Sequence, residues 1–163
     1  MKMRSSVFIV IGIILSAIIL MTGRVLGDKL TVMREDTALR EEIGSVVPEI
    51  GNFSVSKPTE DMPESVKELY IGDKSMAVRL SVNGYAAGLE LLCGIKDGKV
   101  INVKCVSSRE TLGAEKTYGE QFIGKDTKES NLVDTVSGAT KTTSAYKQGI
   151  LDALSVSTRY QEK

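Results

Sequence analysis

The chain has 163 residues, of which 42% are hydrophobic and 26% charged; it is formally neutral and contains no histidine. Neutrality removes the electrostatic footprint of a nucleic-acid-binding protein, so no nucleic acid is expected as a partner. The lack of histidine excludes Ser-His-Asp and Cys-His catalysis and the commonest zinc sets, so neither a catalytic triad nor a metal site is expected.

Lys2 and Arg4 precede an uncharged apolar run from Val7 to Gly23. Its length falls between a signal-peptide core of about 7–15 residues and a full span of about 20. No A-x-A-like cleavage site and no lipid-accepting cysteine follows it, so residues 1–27 read as a retained transmembrane anchor. Residues 28–63 read as a helical and irregular connector. It starts as a charged helix over 28–42, with Leu26, Leu30 and Met33 as an apolar stripe, and turns irregular around Pro48, Gly51, Pro58 and Pro63. Thr59 to Glu64 offers a cap for a short helix through Tyr70. Residues 64–163 are assigned to the domain proper.

The centre is β. Met76, Val78, Leu80 and Val82 alternate with Arg79 and Ser81, which is the pattern of a half-buried strand. A hairpin follows about Asp97-Gly98, with Leu89, Leu91, Cys93 and Ile95 leading in and Ile101, Val103 and Cys105 leading out. A register centred on that turn sets Cys93 opposite Asn102 and Cys105 opposite Glu90. The two thiols then lie on opposite faces, which disfavours a disulfide and leaves two small buried hydrophobes. Residues 116–124 read as a short helix or turn. A last helix is expected from about Thr142 to Tyr160, burying Tyr146, Ile150, Ala153 and Leu154. The fold class is therefore α+β: an antiparallel sheet with flanking helices, preceded by one N-terminal transmembrane helix.

The hydroxyl-rich stretch from Asp134 to Tyr146 admits several readings. A phosphate loop of the G-x-x-x-x-G-K-[ST] type fails, because only Gly138 precedes Lys141-Thr142. Ser144 and Lys147 match S-x-x-K, but the companion S-D-N and K-T-G elements are absent. Thr140 or Thr142 can also serve as a plain N-cap for the helix that follows.

A further reading rests on several motifs together. Asp134-Thr-Val-Ser137-Gly138-Ala139-Thr140 fits a D-x-x-[ST]-G-A-T pattern. Gly84-Tyr85 precedes an apolar strand and a Lys-Asp-Gly-Lys-Val turn; Ser108-Arg-Glu110-Thr111-Leu112-Gly113 and Phe122-Ile-Gly-Lys125 follow. In these residues the chain resembles the covalently flavinylated FMN-binding domains. It is similar in particular to the G subunit of the Rnf electron-transport complex and the C subunit of the Na+-translocating NADH:quinone oxidoreductase.

The resemblance implies that Thr140 is esterified by the phosphate of FMN, through a flavin transferase that uses FAD and magnesium. It makes Asp134, Ser137, Gly138 and Ala139 the address read by that transferase, and Lys141 a point charge beside the phosphate. It makes Tyr85, Glu110, Thr111, Gly113 and Ala114 flavin contacts. Ala86-Ala87 stand where the family has paired glycines, and Leu112, Ala114 and Glu115 where it has Pro, Leu and Gly. A phosphodiester is well placed at the N-terminus of a helix beginning near Thr142, where free N–H groups and the dipole favour an anion. Implied as a whole is a single-pass protein of the cell membrane with its domain outside the cytoplasm. It would be a redox subunit of an Rnf-type ion-translocating ferredoxin:NAD+ oxidoreductase, partnered by the other subunits and not a self-contained enzyme. Two alternatives stay open: an anchored, non-catalytic binding module whose S-G-A-T turn is only a helix cap, and a stand-alone flavinylated carrier.

Overall fold

Alternating apolar residues build the centre of the fold, in a computed structural model that describes residues 37–161. The anchor expected over residues 1–27 and the first part of the connector lie outside the described residues. Among those described, no helix is long and apolar enough to cross a membrane. Residues 37–46 are helical (α1). The strands are β1 (Ser54–Ser56), β2 (Val66–Ile71), β3 (Ser75–Val82), β4 (Leu89–Lys96) and β5 (Lys99–Ser107). Then come α2 (Glu115–Tyr118), a 3-10 turn (Gly119–Phe122), α3 (Thr127–Asn131) and α4 (Thr140–Gln161). The strands form one antiparallel sheet in the order β1-β2-β3-β4-β5, each next to its sequence neighbour. An α+β fold with an antiparallel sheet and helices around it is thus observed.

Both faces of the sheet are covered. On one, Met76, Val78, Leu80 and Val82 of β3 and Leu89, Leu91, Cys93 and Ile95 of β4 join a core with Tyr146, Ile150, Ala153 and Leu154 of α4. The alternation expected for β3 and the apolar face expected for α4 are both present. On the other face, Ile43, Val46, Val47 and Ile50 are buried. Residues 42–63, read from sequence as connector, therefore supply core side chains and the edge strand β1; by contacts the compact unit starts at Glu42. Arg79, on the polar face of β3, is held by Glu42 at 2.6 Å and by the Tyr70 hydroxyl at 3.3 Å.

Gly94 marks the closest approach on that second face. A Cβ there would press into the Val46 carbonyl oxygen and sit 2.8 Å from Val47 Cγ2. Gly94→Ala is expected to destabilise the domain by about 1–3 kcal/mol through overpacking, measured as a lower urea midpoint at an unchanged slope.

Two expectations need correction. The helix expected through Glu64–Tyr70 is strand β2. A bulge between Val66 and Glu68 resets the alternation, so the buried residues Val66, Leu69 and Tyr70 fall at i, i+3 and i+4. That spacing imitates a helix. The pairing of β2 with β1 and β3 takes up its backbone groups instead. The second correction concerns the β4–β5 register. The Asp97-Gly98 turn stands, with φ of 52° and 72° as a type I′ turn requires. A register shift between Gly94 and Ile95 then makes Ile95 face Val100, Cys93 face Val103 and Leu91 face Cys105. Val100 replaces Ile101 in the core, and both cysteines lie on the α4 side, not on opposite faces. They remain free thiols, Cys93 buried and Cys105 partly so.

Burial pushes the Cys93 thiol up to about 12, and it also raises that of Cys105. An unfolded thiol ionises near pH 8.5. Between that value and 12 the folded state therefore holds a proton that the unfolded state has lost, and stability falls as pH rises. The contribution of Cys93 is about 1.4 kcal/mol per pH unit in that window. Urea midpoints measured from pH 7 to 11 are expected to decline, and less steeply in Cys93→Ala.

Candidate functional site

The antiparallel order brings three chain segments to one end of the sheet. Val82 pairs with Leu89 and Glu90 with Ser107, so the β3–β4 turn and the loop leaving β5 emerge side by side. The N-terminus of α4 arrives at the same end. Gly84 shows how tight the junction is: a Cβ there would lie 2.5 Å from Glu110 Oε1 and 2.9 Å from the backbone Cα of Thr142.

Glu110 lies at the centre of that junction. The Ala86 backbone N–H donates to its Oε1 at 3.0 Å, and the Thr142 hydroxyl donates to its Oε2 at 2.5 Å. The Glu110 N–H donates to Ser108 Oγ at 3.0 Å, and Ser108 in turn donates to the buried Glu115 carboxylate at 3.0 Å. Gly113, with φ of 69°, then turns the chain into α2.

The segment entering α4 is a tight turn. Ala139 N–H donates to the Val136 carbonyl at 3.0 Å, and Gly138 has φ of 83°, a conformation glycine adopts without strain. The helix begins at Thr140, two residues earlier than expected. Neither Thr140 nor Thr142 is the N-cap acceptor. Thr142 gives its proton to Glu110, and Thr140 makes only a 3.5 Å contact to the Val136 carbonyl. Thr143 secures the turn: it accepts from Val136 N–H at 3.1 Å and donates to the Ala139 carbonyl at 3.0 Å. Thr142 and Thr143 are buried, whereas Thr140 is exposed.

These segments enclose an open cavity of about 420 Å3, lined by Tyr85, Glu110, Thr111, Leu112, Gly138, Ala139, Thr140, Lys141 and Thr142. That volume is in the range of small-molecule and cofactor sites. Part of its lining is polar: the first turn of α4 with its free N–H groups, the Thr140 hydroxyl and Lys141. Tyr85 and Leu112, 73% and 69% exposed, add apolar surface to it. An anionic head joined to a flat, largely apolar body fits this division.

Seven of the residues singled out from sequence meet in the cavity: Tyr85, Glu110, Thr111, Gly138, Ala139, Thr140 and Lys141. Four do not line it. Gly113 and Ala114 shape the loop behind Thr111, and Ser137 is an exposed turn residue. Asp134 is exposed and contributes its carbonyl, which accepts from the Tyr118 hydroxyl at 3.0 Å. Burial first, and the Asp134 charge second, raise the pKa of that hydroxyl. Sequence reasoning did not count Leu112 and Thr142 among the site residues. Leu112 carried a signal, being an apolar residue set in a polar loop; Thr142 carried none beyond its place in the helix. Lys147, the basic member of the S-x-x-K pair, donates to the Val133 carbonyl at 3.0 Å, and Ser144 is exposed.

Residues 84–155 match the FMN-binding domain family. The matched segment starts at the β3–β4 turn, includes all three cavity-forming segments and ends within α4. It supports FMN as the cofactor and a flavin-binding electron-transfer module as the function, and the α+β architecture fits such a domain. No curated protein matches the chain.

Proposed function

We propose, from the match of residues 84–155 to the FMN-binding domain family, that this chain carries FMN joined through its phosphate to Thr140 and passes electrons as a membrane-anchored subunit. The observation that carries the reading is the exposed Thr140 hydroxyl at the head of α4, inside the cavity, beside two threonines whose hydroxyls are buried and engaged. When bound, FMN supplies the electron exchange, which is why the chain needs no side-chain acid or base.

The residues divide the work. The α4 N-terminus and Lys141 favour the phosphate's negative charge. Gly138 lets the backbone turn away and leaves Thr140 Oγ open to a transferase. Tyr85 and Leu112 cover the apolar body of the flavin. Thr140 Oγ would be the acceptor for the FMN phosphate, which a transferase would take from FAD with release of AMP, and the hydroxyl proton would pass to a base of the transferase. Residues 1–27 serve as the anchor, the domain lies outside the cytoplasm, and the neighbouring subunits of an Rnf-type complex are the electron partners.

The test is co-expression of the full chain with a flavin transferase, followed by denaturing electrophoresis. Flavin fluorescence is expected to migrate with the polypeptide. A colourless chain of unmodified mass contradicts the reading.

A further inference from the structure

The resemblance makes Glu110 a flavin contact, and its carboxylate oxygens also have partners within the chain. Oε1 takes the Ala86 N–H and Oε2 takes the Thr142 hydroxyl, so one side chain ties the β3–β4 turn to the first turn of α4. The loop bearing Glu110 is itself held through Ser108 to Glu115, which is buried at 2% exposure. Gly84 admits the clamp, because any side chain there would occupy the space of Glu110 Oε1. Tyr85 stands next to the clamped residue Ala86; Thr140 stands two residues before Thr142.

We propose that Glu110 is a positioning residue: it sets the separation between the Tyr85 wall and the Thr140 attachment point, and so limits the motion of the tethered flavin. This rests on the site reading above. A hydrogen bond to a charged acceptor holds a loop more tightly than a neutral one. The carboxylate also sits at the positive end of the α4 dipole, where a negative charge is favourable. Glu110→Gln keeps an acceptor for Ala86 N–H and presents an amide donor to Thr142 Oγ, preserving the clamp without the charge. Glu110→Ala removes both arms. Thr142→Val removes one arm at nearly constant volume.

The experiment uses the full chain in two states. In the unlabelled chain, hydrogen exchange of the Ala86 amide is expected to rise about tenfold or more in Glu110→Ala, as for loss of a charged acceptor. In the labelled chain, the fluorescence anisotropy of the tethered flavin is expected to fall in Glu110→Ala and Thr142→Val and to be partly restored in Glu110→Gln, whose clamp lacks the charge. Anisotropy unchanged in Glu110→Ala overturns the proposal while leaving the attachment site intact. Loss in Glu110→Gln equal to that in Glu110→Ala also overturns it, since Glu110 would then act by charge on the flavin. Should Glu110→Ala fail to fold, Thr142→Val decides by the same readout, and unchanged anisotropy there overturns the clamp. A wild-type chain that takes no flavin overturns the site reading, and the proposal with it.

Discussion

Thr140→Ala is expected to leave a folded chain that holds no covalent flavin. The side chain is exposed and its one internal contact, to the Val136 carbonyl, is 3.5 Å long. Removing it should change stability by less than about 0.5 kcal/mol, the usual range for a surface substitution. The two hydroxyls that follow it in α4 are not available in its place. Thr142 is 4% exposed and gives its proton to Glu110, while Thr143 is fully buried and bridges Val136 and Ala139. Ser137 is exposed but does not line the cavity. Intact mass and thermal unfolding of the two chains, each co-expressed with the transferase, check the prediction together. Unaltered melting with complete loss of label is the expected pair of results; Thr140→Ser, which keeps an oxygen at the same place, should retain label at a reduced rate.

Phe122→Ala is expected to have the largest effect on stability, about 3–5 kcal/mol. Phe122 is fully buried, edge-on to Tyr118 at 5.2 Å between ring centres and stacked on Tyr146 at 6.2 Å. Tyr118 and Tyr146 meet edge-on at 5.4 Å, so the three rings form a closed cluster. Aromatic pairs of this kind add about 0.5–1.5 kcal/mol to the area they bury. The cluster joins the 3-10 turn to α4, and through the Tyr118 hydroxyl it also holds the Asp134 carbonyl at the start of the loop that leads to Thr140. Since a domain of this size has about 5–15 kcal/mol in hand, the loss would consume much of it. Equilibrium unfolding in urea is the measurement, and a shift below about 1 kcal/mol would show that the cavity collapses and the cluster matters little.

The parts of the fold that were legible in the sequence are those where local pattern and tertiary demand agree. In β3 every second residue from Met76 to Val82 is apolar and every one of them is buried. In α4 the spacing of Tyr146, Ile150, Ala153 and Leu154 matches a single buried face. Bulges defeated the reading elsewhere. One in β2 makes a strand imitate a helix, and one beside Gly94 moves Cys105 to the face of Cys93; neither has a local signature, because each is fixed by pairing with a neighbouring strand. The packing of residues 43–50 on the sheet was hidden for a similar reason. Gly94 and Val46 have to be brought together before the missing side chain makes sense.

The site divides along the same line. Gly138, Ala139, Thr140 and Lys141 are contiguous, so a short motif found them. Tyr85 and Thr111 come from loops 26 residues apart in number, and the order of motifs along the chain located them. The partners of Glu110 could not be read in advance. Its links to Ala86 and Thr142 span 24 and 32 positions and depend on three loops converging at one end of the sheet. Asp134, Ser137, Gly113 and Ala114 lie close in sequence to cavity residues without lining the cavity, which shows that a motif marks a segment before it marks a contact.

Thr140 is the proposed point of attachment. Peptide mapping by tandem mass spectrometry, on the full chain co-expressed with a flavin transferase and then denatured and digested, tests it most directly. The peptide spanning Ser137 to Lys141 is expected to carry the mass of FMN less water, with the fragment ions placing it on Thr140. An unmodified peptide, or the same adduct on Ser137, Thr142 or any residue outside this turn, would contradict it.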